Sequence, residues 1–379
     1  MVEWKYMWEV TTWDKKFTGV DKSMQPRVIK YHYYLANELS ELENSDGDIR
    51  ILYTTDKIAF VNSADVEGNI SEGEIVAIPW GGNVSIKYYN GKFVTADNRI
   101  ATSNNKEYLN NKYLFYWMSS RKDEISKFYR GAGIQHPSMF KVLTMLIPIP
   151  SLSEQNRIVG ILDTFTASID NLKEQIAQRR KQYEYYRDEL LDLEGKEGVR
   201  HIVLKDVCDV INGRAYSQPE LLSKGKYRVL RVGNFFSNDS WYYSDLELED
   251  KYYCNKGDLL YAWSASFGPH IWEEEKVIYH YHIWKMSCKE GLYTKYMYYW
   301  LQSEDMKKQA FSNLHGATMA HLTKVLMESL KVPVPPLSEQ QRIVSILDTF
   351  EASIQNLEAQ LSQREKQYEY YRNKLLSFE

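Results

Sequence analysis

The segment Leu337–Phe350 reads LSEQQRIVSILDTF, and the segment Leu152–Phe165 reads LSEQNRIVGILDTF. Aligned without a gap as far as Glu194 and Glu379, 30 of 43 positions are identical. Identity of this extent within one chain identifies an internal repeat, and a repeat must be recognised before any other element is assigned.

The repeat extends upstream of the two segments. GAGIQHPSMFKVLTMLIPIP at 131–150 matches GATMAHLTKVLMESLKVPVP at 316–335, and SEGEIVAIPWGG from Ser71 matches NKGDLLYAWSAS from Asn255. The chain is therefore two tandem halves, each a variable body followed by a nearly invariant tail. We divide it into a first body (1–150), a first conserved helix (151–197), a second body (198–336) and a second conserved helix (337–379).

Apolar residues in both tails recur at alternating steps of four and three, which is the spacing of a coiled-coil seam. We expect each tail to form one long helix, with Ser153 and Ser338 as N-caps. The two helices should pair antiparallel and relate the halves by a pseudo-two-fold axis. The four seam tyrosines should face the core or a partner. The predicted seam contains Ile158, Leu162, Phe165, Ile169, Leu172, Ile176, Tyr183, Tyr186, Leu190, Ile343, Leu347, Phe350, Ile354, Leu357, Leu361, Tyr368, Tyr371 and Leu375.

Arg179 and Arg364 interrupt the apolar seam at equivalent positions. A polar residue in such a seam commonly fixes the register of the helices. We expect each arginine to form an ion pair or a hydrogen bond across the helix pair.

The bodies have the pattern of a mixed α/β (α+β) fold. In the second body, strand-like runs occupy 201–210, 226–235, 256–263 and 280–288, a helix-like run occupies 294–311, and LKVPVP forms a final strand. The first body matches the later part of this layout, and its N-terminal third matches poorly.

Composition limits the class of protein. No apolar run is long enough for a membrane span, and MVEWKYMWEV lacks a signal-peptide pattern, so we expect a cytoplasmic protein. Cys208, Cys254 and Cys288 are far apart in the sequence, which argues against a disulfide framework or a cysteine-rich zinc site. Residues 1–150 carry 18 basic and 18 acidic residues and residues 201–336 carry 16 of each, so bulk charge does not indicate nucleic-acid binding.

We find no signature of catalysis. Phosphate-binding loops, dinucleotide fingerprints, nucleophile elbows and zinc helices are absent from the sequence. The EEEK run at 273–276 ends like a common nuclease motif, but such triplets arise often in charged chains. His280 and His282 would share one strand face, and a packed or surface strand explains them better than half of a metal site does. This pattern favours recognition and scaffolding.

The tails carry a recognisable signature. PIPSLSEQNRIVGILD and PVPPLSEQQRIVSILD close a strand and open a long helix containing EYYR, and this arrangement resembles the specificity subunit of type I restriction-modification systems. The resemblance covers the chain from end to end. KGDLLYAWSAS and the run from Gly316 to His321 also match the family's target-recognition pattern. The first body departs from that pattern at its start and in the loop at Gly82.

The resemblance implies a non-catalytic, cytoplasmic subunit. Each body, as a target-recognition domain, would read one half of an interrupted double-stranded DNA target. The coiled coil would set the gap between the halves and dock two methyltransferase subunits, to which restriction and translocation subunits add. S-adenosylmethionine, ATP and magnesium would belong to those partners, with no cofactor or metal on this chain.

Direct readout of bases requires polar and basic side chains in exposed loops. In the first body most candidates lie in the expected loop GGNVSIKYYNGK. His136 and His321 recur at matching positions, which fits either base contact or a shared helix-capping role. The candidates for DNA contact are Asn83, Lys87, Tyr88, Asn90, Lys92, Arg130, Gln135, His136, Arg214, Tyr216, Gln218, Ser264, Ser266, His270, Thr318 and His321.

Two other classes compete with this interpretation. The tryptophan and tyrosine content suits a duplicated carbohydrate-binding protein on a coiled-coil stalk, and a self-sufficient nuclease is a further alternative. The length of the tail signature favours the specificity subunit over both.

Overall fold

The computed structural model describes residues 2–235, 238–264, 267–311 and 322–378. Contacts divide the chain into two compact units. Met1–Leu172 with Gln360–Glu379 forms the first unit, and Lys173–Ala359 forms the second. Each unit thus holds one variable body and a part of both long helices.

The first unit is a mixed α/β body that leads into the first long helix. In chain order its elements are β1 (Glu3–Tyr6), α1 (Met7–Val10), β2 (Thr11–Trp13), α2 (Ala36–Glu41), β3 (Ile49–Leu52), β4 (Ile58–Val61), β5 (Ser71–Pro79), β6 (Lys87–Thr95), β7 (Asn98–Ser103), α3 (Asn111–Ser120), α4 (Lys122–Ser126), β8 (Tyr129–Arg130), β9 (His136–Pro137), α5 (Met139–Leu143), β10 (Leu146–Ile149) and α6 (Leu152–Leu191).

The main sheet of the first unit has the strand order β2-β7-β5-β6-β3-β4. Its neighbours are antiparallel except β3 and β6, which run parallel. Because side chains alternate along a strand, β5 serves both faces of the sheet. Val76 and Ile78 join the large core cluster that contains α3, whereas Ile75 and Ala77 join a cluster on the other face.

The elements of the second half of the chain follow a similar order, with no described counterpart of α2, β8 and β9 and with β15 (Tyr253–Cys254) in addition. They are β11 (Arg200–Val203), α7 (Leu204–Val207), β12 (Cys208–Asn212), β13 (Tyr227–Leu230), β14 (Tyr242–Ser244), β15 (Tyr253–Cys254), β16 (Leu259–Ala262), β17 (Gly268–Ile271), β18 (Val277–Tyr279), β19 (Ile283–Cys288), α8 (Thr294–Trp300), α9 (Glu304–Phe311), α10 (Lys324–Ser329), β20 (Lys331–Val334) and α11 (Leu337–Leu375).

The second unit has two four-stranded sheets, ordered β12-β19-β16-β17 and β14-β13-β18-β15. Its parallel pair, β13 with β18, corresponds to β3 with β6 in the first unit. Strands β17 and β18 together take the place of the single long strand β6, and the segment 272–276 separates them. One six-stranded sheet is therefore replaced by two sheets, and β15 is an additional strand that pairs with β18.

The poorly matching start of the first body nevertheless has a counterpart in the second. Strand β1 pairs antiparallel with β10, and β11 pairs antiparallel with β20 in the same way. A one-turn helix and an edge strand follow in both units, so the predicted single run 201–210 is two strands around α7. The segment between that edge strand and the next strand is longer in the first unit, which explains why the sequences do not align there.

The helix boundaries differ from two expectations. Helices α6 and α11 begin at Leu152 and Leu337, so Ser153 and Ser338 lie inside the first turn and are not N-caps. Ser151 caps α6 instead, since its hydroxyl oxygen accepts from the N–H of Glu154 at 3.3 Å. The helix-like run 294–311 is divided at residues 301–303 into α8 and α9.

Within the second unit, the end of α6 and the start of α11 run antiparallel. Arg180 donates to Glu358 at 2.5 Å, and the rings of Tyr186 and Phe350 stack at 5.4 Å. The guanidinium of Arg179 lies 5.9 Å from the ring centroid of Phe350.

Within the first unit, the start of α6 contacts the end of α11 through equivalent residues. Phe165 stacks on Tyr371 at 5.4 Å, and Arg364 lies 5.7 Å from the Phe165 ring. The expected ion pair or hydrogen bond of the two seam arginines is therefore wrong in the part of the chain that the structure describes. Cation–π contacts across the helix pair replace it.

The predicted seam varies in burial along its length. Ile158, Leu162, Ile343 and Leu347 are fully buried where the helices meet the bodies. Tyr186 and Tyr371 remain 47% and 41% exposed although each stacks on a phenylalanine. Ile169 and Ile176 are buried, whereas Phe165, Leu172, Tyr183, Leu190, Phe350, Ile354, Leu357, Leu361, Tyr368 and Leu375 are half-buried.

Candidate nucleic-acid interface

Gln155, in the first turn of α6, is fully buried and attaches the helix to the first body. Its amide nitrogen donates to the carbonyl oxygens of Tyr108 and Pro150, both at 2.9 Å. Its oxygen accepts from the N–H of Asn110 at 2.9 Å. Both polar atoms of this buried amide are therefore satisfied, as burial requires.

Asp163 makes a second attachment on the same helix. Its carboxylate accepts from the Tyr116 hydroxyl at 2.6 Å and from the Lys112 ammonium at 2.8 Å, and both partners belong to α3. Tyr113, also on α3, donates to the carbonyl oxygen of Pro148 at 2.8 Å. Helix α3 is thereby bonded to both the conserved helix and the strand before it.

The second unit repeats the glutamine attachment. Gln340 is fully buried, and its amide nitrogen donates to the carbonyl oxygens of Gly291 and Pro335, both at 2.9 Å. Its oxygen accepts from the N–H of Tyr293 at 2.8 Å. These are the same three types of bond that Gln155 makes.

The aspartate attachment is repeated as well. Asp348 accepts from the Tyr299 hydroxyl at 2.5 Å and lies 2.9 Å from the Lys295 ammonium. Tyr296 donates to the carbonyl oxygen of Pro333 at 2.7 Å. Two bodies of different sequence are thus fastened to their helices by one set of residues.

Sequence reasoning missed this anchoring role. It assigned the identity of the tails to the helix seam and to partner binding. The signal was present, because KYLFYWM at 112–118 and KYMYYWL at 295–301 repeat the anchoring lysine and tyrosines alongside the repeated glutamine and aspartate. A part of the tail identity therefore serves contacts inside the chain.

Two groups of candidates in the first body form one surface. The N–H of Gly82, in the loop after β5, donates to the carbonyl oxygen of Gln135 at 3.1 Å. Nδ1 of His136 lies 2.7 Å from the carbonyl oxygen of Trp80, and their ring centroids are 5.0 Å apart. The exposed candidates on this loop and on the β8–β9 hairpin are Asn83, Arg130, Gln135 and His136.

A buried arginine packs against Trp80, the residue that leads into this loop. Arg99 is 3% exposed, and its guanidinium lies 4.2 Å from the Trp80 ring. It is 2.9 Å from Asp97 and 3.8 Å from Asp14. Burial raises the pKa of Asp14, although hydrogen bonds from Tyr33 and the backbone and the nearby charge of Arg99 oppose that rise. Trp80 is therefore held in place, and it can position the loop that follows it.

The expected loop GGNVSIKYYNGK is wrong beyond residue 86, because Lys87–Thr95 is strand β6. β-branched and aromatic residues favour this strand, namely Tyr88, Tyr89, Phe93, Val94 and Thr95. Lys87 is half-buried and donates to the carbonyl oxygen of Thr54 at 3.2 Å. Burial lowers the pKa of Lys87 to about 8.

The other candidates on β6 lie at different positions along the strand. Tyr88 donates to Glu74 at 2.9 Å and packs on Phe115, which is a structural arrangement. Asn90 and Lys92 are exposed and lie further along the strand, away from the loop at Asn83. The structure therefore does not bring the candidates of this segment together at one place.

In the second body, the turn between β18 and β19 gathers candidates from distant parts of the sequence. The N–H of Arg214 donates to the carbonyl oxygen of Tyr279, and that of Tyr281 donates to the carbonyl oxygen of Arg214, both at 3.1 Å. Trp263 also bonds to this turn. Its backbone N–H donates to the carbonyl oxygen of His282 at 3.2 Å, and its indole N–H donates to the carbonyl oxygen of Tyr281 at 2.9 Å.

Aromatic rings cover this turn. The ring centroids of His280 and Tyr281 are 4.4 Å apart, and those of Tyr281 and His282 are 4.0 Å apart. Tyr216 lies 6.4 Å from His280, and Trp263 lies 5.2 Å from His282. Tyr281 is 40% exposed at the centre of the group. Sequence reasoning discounted the histidines and did not select Tyr281 or Trp263, because their proximity depends on the sheet.

Arg214 reaches the turn because a glycine precedes it. A Cβ added to Gly213 would lie 2.3 Å from the carbonyl oxygen of His280, so only glycine allows this approach. Arg214 donates to Glu220 at 2.6 Å and lies 5.2 Å from the Tyr216 ring. Its Nη1 has no hydrogen-bond partner among the described residues.

The remaining candidates of the second body are dispersed. Ser264 is half-buried next to Trp263, and Gln218 is exposed in a short 3₁₀ turn. His270 lies on β17, where burial lowers its pKa, and it lines a cavity of about 410 Å³ together with Phe267. Ser266, Thr318 and His321 lie outside the described residues.

The described part of the chain has neither a metal-binding cluster nor a membrane-spanning helix. It contains no cluster of three or more histidine, cysteine, aspartate or glutamate residues arranged to hold a metal ion. None of its helices is long and apolar enough to cross a membrane.

Comparison with known proteins identifies the class. The family model for the type I restriction modification DNA specificity domain matches twice, at residues 28–179 and 196–365, and the chain belongs to this family. A "Putative type I restriction enzyme specificity subunit" of Haemophilus influenzae is 32% identical over 337 residues, covering 83% of this chain and 85% of that protein. A type I restriction enzyme specificity subunit of Escherichia coli is 29% identical over 295 residues, covering 70% of each.

Solved structures share the fold over the whole chain. The crystal structure of the type I restriction-modification S subunit from M. genitalium aligns with a TM-score of 0.63 at 16% identity, covering 100% of this chain and 97% of that one. A chain from a study of complex assembly and conformational transition in the type I system aligns with a TM-score of 0.57 at 15% identity, covering 99% and 97%. The fold is thus a mixed α/β tandem repeat with two long helices, as the sequence predicts.

Proposed function

We propose that this chain, without catalytic activity of its own, gives a type I restriction-modification complex its DNA sequence specificity in the cytoplasm. Each variable body reads one half of an interrupted double-stranded DNA target. The observation that carries the proposal is the matched anchoring of two dissimilar bodies, in which Gln155 and Gln340 make the same bonds. A constant attachment that holds two different surfaces suits a target with two different halves.

The first body reads DNA with the surface formed by the loop after β5 and the β8–β9 hairpin. Asn83, Arg130 and Gln135 are exposed there, and their amide and guanidinium groups match the donors and acceptors on base edges. The backbone bond from Gly82 to Gln135 and the contact of His136 with Trp80 hold the loop and the hairpin together, which limits the entropy lost on binding.

The second body reads DNA with the turn that contains Tyr281. The partially exposed ring is supported by His280 and His282, and the half-buried guanidinium of Arg214 lies at the same turn. A rigid aromatic group beside a guanidinium favours contact with a base edge and its neighbouring phosphate.

The paired long helices set the gap between the two half-sites. Helix α6 has 40 residues, which at about 1.5 Å per residue gives a length of roughly 60 Å. Half-sites one turn of DNA apart, about 34 Å, fit beneath a spacer of that length.

Exposed tyrosines on both tails support the docking of two copies of one methyltransferase subunit. Tyr185 and Tyr370 occupy matching positions and are 61% and 59% exposed, so packing within the chain does not explain their identity. Restriction and translocation subunits complete the complex. S-adenosylmethionine, ATP and magnesium are bound by these partners and not by this chain.

The test is co-expression of this chain with the methyltransferase encoded beside it, followed by genome-wide mapping of methylated adenine. We expect one interrupted motif. Tyr281→Ala should relax one half of the motif at unchanged spacing, and Asn83→Ala should relax only the other half. Each variant serves as the control for the other.

A second measurement addresses docking. Replacing both Tyr185 and Tyr370 with alanine should reduce the amount of methyltransferase that co-purifies, without altering the motif on the DNA that is still methylated. Methylation that is unchanged when this chain is deleted, with no methyltransferase co-purifying, would refute the proposed function.

A further inference from the structure

Two of the three cysteines lie opposite each other on neighbouring strands. Strands β12 and β19 are antiparallel, and their register places Cys208 directly across from Cys288. The adjacent pair is hydrogen-bonded, since the N–H of Lys289 donates to the carbonyl oxygen of Val207 at 2.9 Å. Hydrogen-bonded and non-hydrogen-bonded pairs alternate in an antiparallel ladder, so the cysteines occupy a non-hydrogen-bonded pair.

This position brings the two sulfur atoms close. Residues in a non-hydrogen-bonded pair have Cα atoms about 4.5 Å apart, with their side chains on the same face of the sheet. Disulfides span Cα distances of about 4.4–6.8 Å, so this pair can be bridged without moving the backbone far. Both residues are free thiols.

The two thiols differ in accessibility. Cys208 is fully buried in the core of the second unit, whereas Cys288 is half-buried at the end of β19. Hydrogen bonds from Cys208 and from Thr294 lower the pKa of Cys288, while the pKa of Cys208 is raised by the hydrogen bond with Cys288 and by burial. A reagent from solvent therefore meets Cys288 first, with Cys208 placed behind it.

We infer that Cys208 and Cys288 form a reactive dithiol that a hydroperoxide converts into an intramolecular disulfide. The Cys288 thiolate attacks the O–O bond and becomes a sulfenic acid, and the peroxide oxygen that leaves takes up a proton as water or alcohol. The Cys208 sulfur then attacks the Cys288 sulfur. The sulfenic oxygen leaves as water with the Cys208 proton, so that two thiols have been oxidised to a disulfide and one hydroperoxide has been reduced.

The location gives the bond a structural consequence. Strand β12 is the edge strand of its sheet and leads directly into Gly213 and Arg214 at the aromatic turn. A disulfide to β19 would join this edge covalently to the strand on the other side of the turn. The chemistry depends on strand register alone, so it is independent of the proposed role in DNA recognition.

Cys254 provides an internal control. It is also fully buried in the second unit, but its partner in the ladder is Val277. A peroxide that reacted with thiols without selection, or after unfolding, would oxidise Cys254 together with the other two.

The experiment treats the purified full chain with a small excess of hydrogen peroxide, quenches it in denaturant with an alkylating agent and maps the peptides by mass spectrometry. We expect a linked peptide pair that contains Cys208 and Cys288 and has lost two hydrogen atoms, the loss of alkylation at both, and unchanged alkylation of Cys254. Dithiothreitol should restore both thiols.

The inference is overturned if Cys208 and Cys288 stay fully alkylated, or if Cys288 proceeds to sulfinic acid while Cys208 remains a thiol. Cys288→Ser changes only the half-buried member of the pair and should abolish the linked peptide. Because the primary result comes from the unmodified chain, a variant that folds poorly does not affect the test.

Discussion

Replacement of Gln340 with alanine is the perturbation whose effect follows most directly from the structure. The side chain is fully buried and supplies three hydrogen bonds to backbone groups. Gln340→Ala removes all three and leaves the N–H of Tyr293 and the carbonyl oxygens of Gly291 and Pro335 without that partner. Alanine is the better helix former, so helix propensity alone would stabilise the variant.

The expected magnitude depends on how much water can replace the lost bonds. The bond to Pro335 is buried, whereas those to Tyr293 and Gly291 are partly buried. An unsatisfied buried group costs about 1–3 kcal/mol. Taking about 2 kcal/mol for the buried carbonyl and about 1 kcal/mol for each of the others, we expect a loss of about 4 kcal/mol. This is a large part of the stability of an ordinary domain.

Amide hydrogen exchange is the assay that localises this loss. Since about 1.4 kcal/mol corresponds to a factor of ten, peptides covering the start of α8 and the first turns of α11 should exchange roughly 100- to 1,000-fold faster. Gln341→Ala is the matched control, because Gln341 is the exposed neighbour of Gln340 on the same helix. Gln155→Ala should produce the same change at α3 and α6 in the first unit.

Two results would refute this reasoning. If Gln340→Ala and Gln341→Ala had equal effects on exchange, the three bonds would not anchor the body. If Gln340→Ala destabilised all described strands of the second unit uniformly and left the junction no more mobile than the rest, the glutamine would act on the whole core and not at the attachment.

Two further predictions concern the seam and the aromatic turn. Changing Arg179 and Arg364 together to leucine removes two cation–π contacts worth about 0.5–1 kcal/mol each and adds apolar surface to the seam. The midpoint of urea unfolding should therefore change little, and the helices should stay paired. A decrease of more than about 2 kcal/mol in the free energy of unfolding would contradict the contacts with Phe350 and Phe165 described here. Burial, with His282 and Arg231, lowers the pKa of His280 to about 4, so the unfolded chain binds more protons than the folded chain below about pH 6.5. The free energy of unfolding should therefore decline as the pH falls from about 6.5 towards 4. Urea titrations at pH 7 and 5 should show a smaller decline for His280→Gln than for the unmodified chain. An equal decline in the two proteins would count against a role of His280 in this pH dependence.

Features that depend on short-range periodicity could be predicted from the sequence. The four-and-three spacing identified both long helices, and the internal repeat identified two bodies of one plan. Strand β6 was misassigned in part, because Gly81, Gly82, Asn83 and Asn90 resemble turn residues. The pairing of β6 with β5 along their length overrides that local preference.

Features that depend on contacts between distant residues could not be predicted. Tyr281 and Trp263 become a candidate surface only because backbone bonds from Arg214 and Trp263 meet at one turn. The seam arginines were assigned the correct helix face, but their partners are aromatic rings and not acids, since the ring of Phe350 or Phe165 lies next to each guanidinium. Periodicity determines which face a residue occupies and not which group it meets.

The near-identity of α6 and α11 also creates a hazard during synthesis. Helix α6 is complete when the ribosome has reached Leu191, yet its antiparallel partner ends only at Leu375. At about 5–20 residues per second, the apolar stripe waits roughly 10–40 s for that partner. During this time the stripe on a neighbouring nascent chain, made from the same messenger RNA, offers an almost equivalent surface. Gln155 and Asp163 can bond to the first body as soon as that body has folded. These bonds hold the start of α6 against the body of its own chain, so that the start of the apolar stripe is not open to a neighbouring chain.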